Sequence, residues 1–236
     1  LDATKAYDFT IRFGTETDTL DAEGEAVAAS DVRPTLGKAA AVLPLFTGAI
    51  EQVPPAFSAL KIGGKAAYAR ARAGEEVELK ARAVTIHSLS IRHPELVAGA
   101  ISSPAAESPE WVLKQVQHAS LDAITLSATV SKGTYIRSLA RDIARALGTV
   151  GHVAMLRRTR AGPFGLEQAI SLDFLDEAAK ARRLTETVLP LEAALDDIPA
   201  LPVTPGQAQL LRHGQRLAGF PAEPGLRLAT DAGRPV

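Results

Sequence analysis

The segment Tyr7-Asp8-Phe9-Thr10-Ile11-Arg12-Phe13 alternates apolar with polar side chains. Period-two alternation marks a strand buried on one face only. Residues 14–24 are polar and bounded by glycine, so they read as a loop. Ser30 or Asp31 is placed to cap a helix over 34–48, with Pro44 bending its last turn. Gln52-Val53-Pro54-Pro55 is a break. A short strand is expected over 57–61, a turn at Gly63-Gly64, and a short basic helix over 65–73 closed by Gly74.

Residues 77–93 alternate again and carry β-branched side chains, which predicts one long strand or two. Residues 102–109 read as a surface loop, and 111–118 and 121–130 as strands. The clearest helix follows, with Thr134 as N-cap and Gly148 just past its end. Ile136, Leu139, Ala140, Ile143 and Leu147 fall on one face, and Arg137, Arg141 and Arg145 recur every fourth residue on another. A strand is expected over 153–158, and Ser171 caps a helix over 172–180. Composition shifts after about residue 184. Thr204-Pro205 then opens a short helix that Gly214 closes, and 215–236 read as the start of a small β domain. Strands outnumber βαβ units, so the expected class is α+β, a largely antiparallel or mixed sheet flanked by helices.

Composition excludes several functions. There is no Cys among the 236 residues, so disulfides and thiolate metal sites cannot form. The five His (His87, His93, His118, His152, His213) lack metal-ligand spacing. No run reaches the ~20 apolar residues that span a bilayer, and the first residues do not resemble a signal peptide. A cytoplasmic location is the expectation. Net charge is −1, but its distribution is uneven. Lys132, Arg137, Arg141, Arg145, Arg157, Arg158 and Arg160 cluster within 132–160, opposed only by Asp142. Such a cluster is either a footprint for a polyanion or a solvated helix face beside a strand edge.

Six segments in order resemble one family. Lys5-Ala6-Tyr7 is similar to a K-x-Y strand, and Thr17-Asp18-Thr19-Leu20-Asp21-Ala22-Glu23-Gly24 to a T-D-T-x-D-x-x-G loop. Gln52-Val53-Pro54-Pro55-Ala56-Phe57-Ser58-Ala59-Leu60-Lys61 resembles Q-x-P-P-x-Y/F-S-A-x-K, and residues 65–74 resemble K-x-x-Y-x-x-A-R-x-G. Residues 131–139 read Ser-Lys-Gly-Thr-Tyr-Ile-Arg-Ser-Leu, and residues 151–159 match G-x-x-x-x-L-R-R-T. Together these resemble the TruB-type pseudouridine synthases across about residues 5–175.

The resemblance implies the pseudouridine-synthase fold and the isomerisation of a uridine in the tRNA T-loop, position 55, to pseudouridine. No cofactor or metal is implied, and a monomer acting on tRNA without a protein partner is expected. It implies a catalytic domain over 1–184 and a partial C-terminal RNA-binding domain over 185–236. The family's nucleophilic Asp lies in a G-T-L-D-P segment upstream of the K-x-Y strand, so the chain as written is expected to be inactive for lack of it. Thr19-Leu20-Asp21 contains a T-L-D string, but no Pro follows and it falls in the T-D-T-x-D-x-x-G loop. Asp18 and Asp21 either hydrogen-bond bases or merely shape a turn, and neither is assigned a catalytic role.

Tyr7 is implied to stack on the flipped uracil and to take part in catalysis, Arg137 to pair with the upstream Asp, and Tyr135 and Leu156 to contact the substrate nucleotide. Lys61, Lys65, Arg70 and Arg72 are implied to meet T-arm phosphates, with Lys132, Arg141, Arg157 and Arg158 as further RNA contacts. Each has a plainer reading: Tyr7 and Leu156 as core residues, Tyr135 as packing at a strand–helix corner, the arginines as solvated helix. The alternative function is a non-catalytic module that grips or folds the tRNA T-arm.

Overall fold

The structure is a computed structural model that describes residues 4–73, 75, 79–92, 120–195, 198–219 and 225–236. The expectations over 102–109 and 111–118, and the cap at Gly74, lie outside the described residues. The chain forms two compact units, Leu1–Thr159 and Arg160–Val236. That break falls within a strand, ahead of the change of composition near 184.

The first unit holds nine strands and three helices among the described residues: β1 (Lys5–Phe13), β2 (Thr15–Thr17), β3 (Ala26–Ala29), α1 (Leu36–Val42), β4 (Gly48–Gln52), β5 (Lys61–Ile62), β6 (Lys65–Ala66), α2 (Ala67–Arg72), β7 (Arg82–Ile91), β8 (Ala123–Val130), α3 (Ile136–Ala146) and β9 (Gly151–Ala161), the last crossing the boundary. The sheet order is β9-β1-β8-β7-β4. β1 pairs antiparallel with β8, setting Tyr7 opposite Ala128, Phe9 opposite Leu126 and Ile11 opposite Ile124. These residues are buried, together with Phe13, Ile86 and Val130. Ile136, Leu139, Ala140 and Ile143 of α3 belong to the same core cluster. Enclosing a side chain the size of Phe9 or Leu139 contributes about 2 kcal/mol each. The alternate positions of β1 are polar. Thr10 and Thr125 hydroxyls meet at 2.9 Å, and Asp8 accepts from the Ser127 hydroxyl at 2.6 Å and pairs with Arg92. An antiparallel sheet can carry one polar face in this way.

Several local expectations are corrected. The loop over 14–24 begins with β2, which pairs with β3. The helix over 34–48 is shorter: Thr35 caps α1, its hydroxyl accepting from the Lys38 N–H, and a 3₁₀ turn over Leu43–Phe46 with Pro44 in its first positions leads into β4. Residues 57–61 are not a strand; only Lys61–Ile62 pairs, with Lys65–Ala66, across the Gly63-Gly64 turn. α2 therefore starts at Ala67, and its first donors reach back to the carbonyls of Leu60 (2.7 Å) and Ser58 (3.0 Å). Tyr135, not Thr134, is the N-cap of α3. The Thr134 hydroxyl is drawn instead to the Ser131 carbonyl at 3.0 Å. Gly148, at φ +75°, turns the chain out of α3 in a conformation that L side chains resist.

The second unit contains β10 (Phe164–Gly165), α4 (Leu172–Lys180), β11 (Ala200–Pro202), α5 (Pro205–Arg212), β12 (Leu228–Asp231) and β13 (Arg234–Pro235). β10 pairs with Arg160 and Ala161, and β11-β12-β13 form a small sheet. Ser171 caps α4, and a Thr204–Gln207 capping box opens α5, as their sequences predict.

Candidate active site

The site is built where the β2–β3 connection, the segment after β4, the start of α3 and β9 meet. Arg137, in the first turn of α3, is its hub. One guanidinium nitrogen donates to the Thr19 carbonyl and to Asp21 Oδ2, both at 2.9 Å. The other donates to the Phe57 carbonyl at 2.7 Å. Arg137 and Asp21 are partly buried. Asp21 Oδ1 is held separately, by the Thr19 hydroxyl at 2.6 Å and the Glu23 N–H at 3.2 Å.

The loop that carries Asp21 is rigidly made. The Thr17 hydroxyl donates to the Asp21 carbonyl at 2.6 Å, and Asp18 Oδ1 accepts the N–H groups of Thr19 and Glu25. Gly24 lies so close that an added Cβ would sit 2.3 Å from both Asp18 Oδ1 and Thr19 Oγ1. Leu20 is buried at φ +63°, a backbone region that non-glycine residues seldom occupy. Its carbonyl accepts from the Val153 N–H at 3.0 Å, which ties the loop to β9.

A pocket of about 270 Å³ opens above this loop, lined by Asp21, Ala22, Glu23, Arg137 and residues 153–156 of β9. Leu156 is 47% exposed and forms part of its wall, as a pocket residue rather than a core leucine. Two residues further along the same face of β9, about 7 Å on, Arg158 Nε donates to the Tyr7 hydroxyl at 3.2 Å. The Arg158 guanidinium lies 5.5 Å from the Tyr7 ring centroid. The Tyr7 side chain itself belongs to the core cluster and is 8% exposed. Strand β9 thus joins the Arg137 pocket to Tyr7. Tyr135 is held through its main chain by Gln52, whose side-chain oxygen accepts the Tyr135 N–H at 2.8 Å and whose amide donates to the Tyr135 carbonyl at 3.2 Å.

The basic residues divide. Lys61, Lys65, Arg72, Lys132, Arg157 and Arg158 are exposed. Arg72 lies over the Tyr68 ring at 5.8 Å. Arg70 is half-buried and pairs with Glu75 at 3.7 Å. Arg141, expected at an RNA surface, turns inward: its side chain is 14% exposed and donates to Asp142 at 2.8 Å and to the Val53 carbonyl at 3.2 Å. The i, i+4 spacing located the stripe but could not show that strand β4 ends beside it.

Sequence reasoning missed two members. Asp21 contacts the guanidinium that had been reserved for an upstream carboxylate; the T-D-T-x-D-x-x-G match was the available signal. Gln52 was read as part of a break, although it opens a matched motif.

These elements form an α+β pseudouridine-synthase fold. Cbf5 in a Cbf5–Nop10–Gar1 complex superposes with a TM-score of 0.59 at 22% identity, covering 99% of this chain and 58% of that one. An H/ACA RNP bound to a substrate RNA containing 2′-deoxyuridine gives 0.58 at 19% identity, covering 99% and 57%. The family model for the TruB family pseudouridylate synthase N-terminal domain matches residues 1–103, and that for the tRNA pseudouridylate synthase B C-terminal domain matches residues 137–196. The chain is 52% identical over its full length to tRNA pseudouridine synthase B of Novosphingobium aromaticivorans and 49% to that of Zymomonas mobilis, spanning 71% and 70% of those proteins. It belongs to the TruB family of pseudouridylate synthases.

Proposed function

We propose that this protein converts a uridine of tRNA to pseudouridine, with the T-loop uridine at position 55 as target. The reading rests above all on the Arg137–Asp21 contact at the base of a small pocket with an apolar wall. Membership of the TruB family and the names of its relatives support the same chemistry.

In this reaction the C1′–N1 bond breaks, the uracil turns, C5 bonds to C1′, the C5 proton leaves and N1 gains one. The base must leave its stack to be reached. A carboxylate is needed to attack or to activate the sugar. Both oxygens of Asp21 are already committed, to Arg137 on one side and to Thr19 and Glu23 on the other. We assign Asp21 the task of aiming the guanidinium. The attacking aspartate belongs, on the family pattern, to a segment upstream of Lys5. Arg137 then keeps that carboxylate ionised and directed. Leu156 bounds the detached uracil, and Tyr135 contacts the nucleotide.

Tyr7 has a more demanding role. Its ring is enclosed, and Arg158 sits beside it. For uracil to stack there, the flexible Arg158 side chain moves aside toward the RNA backbone. The exposed cations Lys61, Lys65 and Arg72 take T-arm phosphates, which position the RNA without reading its sequence.

The test is tritium release from a tRNA transcript labelled at uridine C5, using the full-length protein. One tritium per tRNA is expected, lost when the T-loop uridine is replaced by cytidine. No release from the unaltered transcript overturns the assignment. Gripping the T-arm without chemistry is the second reading, favoured by cations that stand clear of the pocket. It predicts salt-dependent binding of a T-arm hairpin by the 236-residue chain.

A further inference from the structure

Gln52 is the largest polar side chain among the fully buried residues of the described chain, at 0% exposure. Burying an amide is unfavourable unless both its ends are paired. Here both ends pair with a single residue. The side-chain oxygen takes the Tyr135 N–H at 2.8 Å, and the side-chain nitrogen gives to the Tyr135 carbonyl at 3.2 Å. The amide thereby imitates a neighbouring strand across 83 positions of sequence. Leucine would fill the same space with no polar group to satisfy, so packing alone does not account for glutamine.

The residue it grips explains the choice. Tyr135 is the N-cap of α3 and makes no side-chain capping bond of its own. Its carbonyl also accepts the helix's first bond, from the Leu139 N–H at 3.0 Å. Arg137 is two residues further on. The segment that Gln52 begins then continues along the same helix: the Val53 carbonyl accepts from Arg141 at 3.2 Å and the Phe57 carbonyl from Arg137 at 2.7 Å. Between them, Pro54 and Pro55 are fully buried and fix their own φ angles. The Q-x-P-P-x-F stretch is thus a stiff brace, anchored by Gln52 at one end and touching the site arginine at the other.

We propose that Gln52 is a positioning residue that sets the first turn of α3, and through it the direction of the Arg137 guanidinium. The proposal deepens the functional reading above and rests on it for its kinetic consequence. Displacing a reacting group by about 1 Å can slow a reaction about 100-fold, so a partial loosening should be visible in rate before it is visible in binding.

The experiment compares Gln52→Leu and Gln52→Glu with the wild type in the full-length protein. Single-turnover pseudouridine formation is measured per folded molecule, at saturating tRNA and well below each melting point, alongside tRNA affinity. Gln52→Leu should react about tenfold more slowly with affinity within about twofold. Gln52→Glu keeps the acceptor for the Tyr135 N–H but, when ionised, has nothing to donate to the Tyr135 carbonyl. Protonated glutamic acid restores that donor, so its rate relative to wild type should rise as the pH falls. A merely structural role predicts neither the rate loss per folded molecule nor this recovery.

Amide exchange on the 236-residue chain supplies an activity-free check: Tyr135 should lose protection in Gln52→Leu while the β1–β8 amides keep theirs. Wild-type rates in Gln52→Leu, or an unchanged Tyr135 amide, would overturn the proposal. A wild type that forms no pseudouridine would instead overturn the functional reading, leaving Tyr135 exchange to decide whether Gln52 sets the helix. If Gln52→Leu fails to fold, Gln52→Glu carries the test alone, and a flat rate ratio against pH would overturn the proposal.

Discussion

Two basic regions of this protein use the same residue types in opposite ways. Along α3, the arginines at every fourth position are engaged by the protein itself: Arg137 meets Asp21 and two carbonyls, Arg141 meets Asp142 and Val53, and Arg145, though exposed, makes a two-nitrogen contact with the buried Glu16. In the β5–β6 hairpin and α2, Lys61, Lys65 and Arg72 stand in solvent. A regular cationic stripe is easily taken for a nucleic-acid surface. Here the irregular set is the better candidate for phosphate contact, and the regular one serves as framework. Among the described residues, what separates them is whether carboxylates and main-chain carbonyls lie within reach.

The comparison is broken most decisively at Arg137. Arg137→Ala should lower pseudouridine formation about 100-fold and change tRNA affinity little; a parallel loss of affinity would move Arg137 to the RNA surface. The reverse pattern is expected for Lys61, Lys65 and Arg72. Replacing all three with Ala should weaken tRNA binding about tenfold and reduce the log–log salt slope by about 2, with the rate at saturating tRNA unchanged. An unaltered slope would put the RNA elsewhere. Asp21→Asn keeps the shape but removes the carboxylate charge that faces the Arg137 guanidinium, a change of about 1 kcal/mol. About fivefold slower turnover at constant affinity should follow, and abolished chemistry would promote Asp21 from aiming the arginine to attacking the sugar. Arg141→Ala should give the smallest effect, about 1 kcal/mol of stability in a denaturant titration, with RNA affinity preserved. A measurable drop in affinity would restore Arg141 to the RNA contacts.

The parts legible from sequence were those fixed by near neighbours. The apolar face of α3, the Ser171 cap, the Thr204–Gln207 box and the alternation of β1 each depend on residues within a few positions. β4 was hidden because its five residues lie between a proline-containing turn and a Pro-Pro break, leaving too little pattern to count. Thr134 had the right chemistry for a cap but found the Ser131 carbonyl nearer. Two residues that line the pocket, Arg137 and Leu156, stand within family motifs and are legible there. Their connections were not: Arg137 and Asp21 are separated by 116 positions, and Tyr7 and Arg158 by 151. No local periodicity encodes such distances.

Leu20 shows how firmly the rim of the pocket is constrained. Its left-handed backbone is disfavoured for leucine by roughly 1 kcal/mol, yet its isobutyl group is enclosed and its carbonyl is taken up by Val153. Glycine would relax the bend and empty the space; valine or isoleucine would occupy the space and resist the bend. Neither single step improves on leucine, so the turn that delivers Asp21 is caught between two opposing demands and has little freedom to drift.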